Sequence, residues 1–298
     1  MMSGHDIVVV GASAGGVEAL SELVKGFPSD LPASIFIVLH LPAHSTSILP
    51  RILSRNGALP ALNPKNGDLI QHGRIYVASP DQHLLIKRGS VRVVHGPREN
   101  GARPAIDPLF RTAARAYGRR VIGLVLSGVL DDGTAGLIAV KRQGGITLVQ
   151  DPTDALYPSM PQSAITQSEV DHILPLSEIA STIVRLVHQP VEEEGAKPVS
   201  DDMETEADIA ELDMATLHTG EQPGTPSRFS CPECNGVLWE IDDQNMIRFR
   251  CRVGHAFARN PGGGTKRLGG GSHLGRASSA RRERRANATT VEADALER

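Results

Sequence analysis

The chain has 298 residues, of which 40% are apolar and 22% charged, with a formal net charge of −3. This is ordinary globular composition, and it excludes fibrous or low-complexity classes. No apolar run reaches the ~18 residues that a membrane helix needs. The opening MMSGHDIVVVGASAGG enters a strand pattern without the basic flank and cleavage site of a signal peptide, so a cytoplasmic location without membrane insertion is expected.

Residues 1–189 alternate short β-branched runs with helical periodicity, which predicts an α/β catalytic domain. Its fold class is a three-layer, Rossmann-like parallel sheet covered on both faces. Strands are expected at 7–10, 35–39, 122–126 and 146–149, and helices at 16–25, 45–55, 107–117, 134–142, 161–167 and 177–187. Three further apolar runs, 75–77, 84–86 and 91–94, are separated by Pro, Asp and Gly and read as a small antiparallel insertion.

Residues 190–228 read as an acidic linker, with one weak helix near 208–217. Its 191–222 stretch holds eleven Asp or Glu and a single basic residue, Lys197. A compact Cys-rich module is expected at 229–257. Residues 258–298 are Gly, Ser and Arg with few large apolar side chains, a composition that cannot offset its ordering entropy, and disorder is expected. Nine basic residues against four acids in 259–298, without aromatics, fit a solvated tail and not a nucleic-acid partner.

Three segments carry candidate chemistry. Gly11-Ala12-Ser13-Ala14-Gly15-Gly16 joins the first strand to the first helix. Such a turn holds Ser13 at the carboxyl edge of the sheet, with helix N-terminal amides placed to receive an oxyanion. A nucleotide cradle is the competing reading. However, Ser13 occupies the second glycine position of G-x-G-x-x-G, and His40 stands at the end of the second strand, where a ribose-binding acid is expected. Adjacent strands lie ~4.8 Å apart, so His40 can reach Ser13 and serve as its base. The third segment, Leu126 to Gly136, puts Asp131 and Asp132 at the same edge, where either one can orient His40 or cap the next helix. A non-catalytic scaffold in a signalling complex is a further reading.

Cys231-Pro232-Glu233-Cys234 and Cys251-Arg252-Val253-Gly254-His255 give C-x2-C and C-x3-H, sixteen residues apart. Two such pairs complete a tetrahedral Zn²⁺ site with no open position, so a structural zinc is expected and no cofactor for catalysis. Trp239, Ile241, Ile247 and Phe249 are read as the module's small core.

The same segments, with Leu39-His40-Leu41-Pro42, Arg103-Pro104-Ala105-Ile106-Asp107-Pro108-Leu109-Phe110 and Met160-Pro161-Gln162-Ser163-Ala164-Ile165, resemble the catalytic domain of the chemotaxis protein-glutamate methylesterases (CheB). The resemblance runs in order over roughly residues 4–188. It implies that Ser13 is the nucleophile, His40 the general base and Asp132 the orienting acid, with the amides of Val129 and Ala14 binding the oxyanion. It further implies hydrolysis of glutamate γ-methyl esters, with glutamine deamidation in some members. The implied partner is a methylated chemoreceptor or similar methyl-accepting protein, and a methyltransferase or other signalling protein is a further candidate. The first strand begins too early for a receiver domain to precede it, so a stand-alone enzyme without in-chain phosphorylation control is expected. Some stand-alone relatives carry a similar CPxC…CRVGH tail followed by a helical segment. The Gly/Arg-rich sequence from 258 does not match that helix, which suggests a frameshifted tail.

Overall fold

The structure is a computed structural model that describes residues 4–191, 199–211, 222–243 and 246–258. β1 (Ile7–Ala12) leads through α1 (Gly16–Lys25) into β2 (Ser34–Leu39) and α2 (Leu49–Asn56). The short β3 (Ala61–Leu62) and β4 (Arg74–Val77) precede a hairpin of β5 (His83–Lys87) and β6 (Ser90–Val94). Then come α3 (Ile106–Tyr117), β7 (Val121–Val125), α4 (Thr134–Arg142), β8 (Ile146–Gln150), α5 (Ser159–Gln167), β9 (His172–Leu174) and α6 (Leu176–Val187). α7 (Asp201–Glu211) precedes β10 (Thr225–Ser230), β11 (Val237–Asp243), β12 (Met246–Cys251) and β13 (Ala256–Ala258).

The main sheet is parallel, in the order β3-β4-β2-β1-β7-β8-β9. Successive side chains of a strand point to opposite faces, so a strand covered on both sides must be apolar throughout. β1 and β2 obey this, with every residue buried. Val8, Val10 and Ala12 join Ile35, Ile37 and Leu39 under α1, α2 and α6. Ile7, Val9, Phe36 and Val38 face the other way, onto α3, α4 and α5. Phe36 stacks on Tyr76 of β4 with ring centroids 5.1 Å apart. Each fully buried aliphatic or aromatic side chain here contributes ~1.5–3 kcal/mol. The result is the expected three-layer α/β architecture.

Three local expectations differ from the structure. Residues 75–77 belong to the main sheet: β4 pairs in parallel with β2, and only β5 and β6 form the antiparallel insertion. Ile75, Tyr76 and Val77 are all buried, the two-sided burial of a central strand, whereas β6 is only partly covered. The helix expected from 45 starts at Leu49, because Pro50 in its first turn fixes the start. The weak helix expected at 208–217 is α7, which begins at Asp201 with three acids in its first turn, where the helix dipole favours them. Residues 212–217 and the tail from 259 lie outside the described residues.

β10 to β13 form a separate four-stranded antiparallel sheet. Its core differs from the expected one. Leu238, Phe249, Cys231 and Cys251 are buried together, with Phe229, Ile247 and Phe257 against them. Phe229 meets Phe249 edge to face at 5.4 Å. Trp239 is one residue out of phase with Leu238 and sits on the opposite face of β11, paired with Arg250.

Candidate active site

β1 is flanked by β2 on one side and β7 on the other, and the strand order runs outward from it in both directions. The crevice at the carboxyl ends of such strands is where ligands bind in open α/β sheets. Ser13 is the first residue after β1, His40 the first after β2, and Asp132 lies in the turn between β7 and α4.

The Ser13 turn is tied to its neighbours. Ser13 N–H donates to Ser127 O at 3.0 Å, and Gly16 N–H donates to Ser13 O at 2.9 Å. Ser127 Oγ donates to Ala14 O at 2.9 Å and accepts the Tyr157 N–H at 2.9 Å. Gly15 has φ 71°, a left-handed conformation that glycine adopts without strain, and this lets α1 start after a link of only three residues, Ser13 to Gly15. Gly128 makes room: a Cβ there would sit 2.2 Å from Met160 Sδ and 2.9 Å from Ser13 Cβ.

His40 is fixed at its backbone by an N–H bond to Ala12 O at 3.2 Å. Its Nδ1 lies 3.2 Å from Ser13 Oγ, and its Nε2 lies 2.7 Å from Asp132 Oδ2. Of the two acids left open by spacing, Asp132 therefore reaches His40, while the Asp131 carbonyl accepts Thr134 N–H in the turn into α4. The Asp132 carboxylate is 1% exposed. It also accepts backbone N–H groups of Ile106 (2.8 Å), Asp107 (3.2 Å) and Gly133 (3.1 Å), and the Asn100 amide (3.0 Å). Burial alone pushes this carboxyl up. The His40 bond and charge, with the Ile106 and Asn100 donors, outweigh burial and hold it well below the usual carboxylate range. Neighbouring Asp107 goes the other way, raised by burial and by the Asp132 charge. An ionised Asp132 is an acceptor only, so the His40 proton belongs on Nε2 and the Nδ1 lone pair faces Ser13.

His40, Val129 and Leu130 line a cleft of about 420 Å³ together with Arg98, Asn100 and Arg103. Val129 is 40% exposed at its rim. Asn100 and Asp107 were not anticipated as site residues. Asp107 lies in the Arg103–Phe110 segment that carries the resemblance and Asn100 just before it, but nothing local tells that they meet Asp132.

Cys231, Cys234, Cys251 and His255 come together elsewhere, with ligand atoms all within 4.8 Å of one another. The Cys234–Cys251 sulfur separation is 3.6 Å, and His255 Nδ1 lies 3.7 Å from Cys231 Sγ and 3.5 Å from Cys251 Sγ. Tetrahedral ligands at ~2.3 Å (S) and ~2.0 Å (N) stand ~3.5–3.8 Å apart, so these edges suit a four-coordinate cation and exclude a disulfide. None of the three cysteines forms a disulfide. The four residues can hold a metal ion.

The fold and site define an α/β protein with a Ser–His–Asp constellation at the switch point of a parallel sheet. Residues 8–183 match the family model described as CheB methylesterase, and the chain belongs to that family. A protein-glutamate methylesterase/protein-glutamine glutaminase 2 of Methanosarcina mazei is 36% identical over 191 residues, covering 61% of this chain and 52% of the relative. A Pyrococcus abyssi protein-glutamate methylesterase/protein-glutamine glutaminase is 36% identical over 184 residues, covering 60% and 50%. The chain thus spans about half the length of these curated relatives. A Leptospira interrogans relative, 36% identical over 190 residues, is matched over 98% of its length. The crystal structure of the Thermotoga maritima CheB methylesterase catalytic domain superposes with TM-score 0.59 and 31% identity, over 62% of this chain and 99% of that one.

Proposed function

We propose that the protein is a serine-type protein-glutamate methylesterase that acts through Ser13, His40 and Asp132. The observation that carries this reading is the continuous relay from Ser13 Oγ through His40 to an ionised, buried Asp132. Ser13 Oγ attacks the γ-carbonyl of a methylated glutamate while its proton passes to His40 Nδ1. The backbone amides of Val129 and Ala14 receive the developing oxyanion, a role worth ~3–4 kcal/mol per donor. His40 returns the proton to the departing methoxide, and methanol leaves an acyl-enzyme on Ser13. Water activated by the same His40 then attacks that ester and releases glutamate. With glutamine as substrate, ammonia takes the place of methanol.

The names of the relatives support this substrate class, and a methylated chemoreceptor or similar methyl-accepting protein is the partner it implies. We assign residues 1–189 to catalysis and 229–257 to a module stabilised by structural Zn²⁺, which Cys231, Cys234, Cys251 and His255 would hold. Zinc contributes folding free energy there and no step of the reaction. No helix among the described residues is long and apolar enough to cross a membrane. Cysteines that hold a metal and do not pair as disulfides fit the reducing cytoplasm.

A fluorophosphonate probe tests the reading. Wild-type protein is expected to label at Ser13 and to release methanol from methylated receptor, and Ser13→Ala and His40→Ala to do neither. Folded wild type that neither labels nor releases methanol would sink the proposal.

A further inference from the structure

Along β12, Ile247, Phe249 and Cys251 alternate with Arg248 and Arg250. One face therefore carries a metal ligand and its apolar cluster, and the other carries two guanidinium groups. Those groups enter the main body of the protein. Arg250 is fully buried, its Nη2 lying 2.9 Å from Glu99 Oε1 and 3.0 Å from Glu206 Oε1. Arg248 grips Glu206 with both terminal nitrogens at 2.7 Å. Glu99 also takes Arg111 of α3 at 2.8 and 3.1 Å. Buried charges of this kind are tolerated only when each is paired, so the cluster forms as a unit.

The backbone continues the joint. β13 begins one residue after His255, and Ala256 donates its N–H to Arg98 O at 3.3 Å. Ala256 O accepts the Asn100 N–H at 2.8 Å. Asn100 itself has φ 52°. Its side-chain amide donates to Asp107 Oδ2 at 2.8 Å and to Asp132 Oδ1 at 3.0 Å. Arg103 ties the two ends of this loop together by donating to Gly96 O at 2.7 Å, and the main body anchors those ends through His83, which donates to Pro97 O at 2.8 Å, and Asp81, which accepts from Arg103 at 2.9 Å. Residues 98–100 between those anchors take backbone bonds from β13.

We propose that Asn100 is a positioning residue for Asp132, and that the metal-bound Cys3His module holds it in place. Loss of the metal then loosens residues 98–102 and slows acyl transfer without touching the reacting atoms. The proposal rests on the triad reading given above. Asp132 keeps three backbone donors when Asn100 lets go, so the expected loss is about tenfold and not complete.

The test uses the full chain, loaded with Zn²⁺ or stripped by a chelator, as wild type, Asn100→Ala, Cys251→Ser and the double variant. Hydrogen exchange at residues 98–102, zinc content, and kcat and KM on a small activated ester are read together. Stripping, or Cys251→Ser, is expected to speed exchange at Asn100 and to lower kcat about tenfold with KM changed by less than about twofold. Zn²⁺ added back to stripped wild type restores both. Asn100→Ala should lower kcat equally while keeping its zinc and the exchange protection of β10–β13, and the double variant should be no slower than either single one. Unchanged exchange on stripping, or losses that multiply in the double variant, would overturn the proposal. Ser13→Ala serves as the separate control: hydrolysis at the wild-type rate there ends the triad reading, while the exchange measurement still judges the joint.

Discussion

His40 turns Nδ1 toward Ser13 Oγ, at 3.2 Å, and gives Nε2 to Asp132. This ring is reversed relative to serine proteases, where Nε2 faces the serine and Nδ1–H the acid. His40 follows β2 beside β1, and Asp132 approaches from the turn after β7, so the ring lies between groups from different strand ends. Asp132→Asn keeps the shape but exchanges an acceptor for a donor at Nε2, which favours the wrong tautomer. A fall in kcat of ~10⁴-fold is expected, with a stability loss of about 1–3 kcal/mol because the Ile106 N–H that bonds the same oxygen is left facing a donor. Steady-state kinetics beside thermal unfolding checks this, and a fall below about tenfold would remove Asp132 from the relay.

Gly128→Ala puts a methyl where Met160 Sδ and Ser13 Cβ already stand, at 2.2 and 2.9 Å. The Met160 side chain can swing aside, but Ser13 cannot move without disturbing its bond to Ser127 O. Labelling of Ser13 is expected to slow at least ~10-fold, since small misplacements of reacting groups have large effects on rate. Retained labelling would mean that the turn yields more easily than its hydrogen bonds suggest.

Glu206 sits among Arg248, Arg250 and Arg111. Replacing it by Gln strands the arginines in the interior, and the expected cost is ~3–5 kcal/mol in denaturant unfolding. Burial works to raise the Glu206 and Glu99 carboxyls, but the arginines outweigh it and hold both below the ordinary value of 4.5. A folded-state value below the unfolded one gives stability that is complete above about pH 4.5 and lost as pH falls through the folded values. Wild-type stability should therefore drop on acidification below that point, and Glu206→Gln should show a shallower drop.

One Zn²⁺ per chain is the expected stoichiometry, by elemental analysis after gel filtration. Replacing any of Cys231, Cys234, Cys251 or His255 removes one of four ligands, and metal retention should fall at least ~10-fold in competition with a chelator. Equal retention in all four variants would exclude this cluster as the site.

The strands and the three-residue constellation were legible because their signals are local. Unbroken β-branched runs announce strands buried on both faces, and Ser13 and His40 each follow such a run directly, whereas Asp132 lies in the turn after β7 and spacing alone did not separate it from Asp131. Asn100 and Asp107 were not legible as partners of Asp132, because both contacts cross more than twenty residues of sequence. Ile75 to Val77 was misplaced for a related reason: the glycine and proline around it resemble hairpin punctuation, and only the register with β2 shows the main sheet. In β12 the alternation of arginine with apolar residues was visible. Its meaning depended on the acids of α3's neighbouring loop and of α7, which no pattern within the strand reveals.

The order of the strands along the chain also separates the three groups of the site. β1 and β2 come first in the chain and lie side by side in the sheet, so Ser13 and His40 both belong to its early half. Asp132 arrives more than ninety residues after His40, on the far side of β1. Until β7 docks, the Asp132 carboxylate cannot stand at His40 Nε2. Covalent labelling of Ser13 in a stalled-translation series is therefore expected only in chains long enough to include β7, and would time the closure of the sheet.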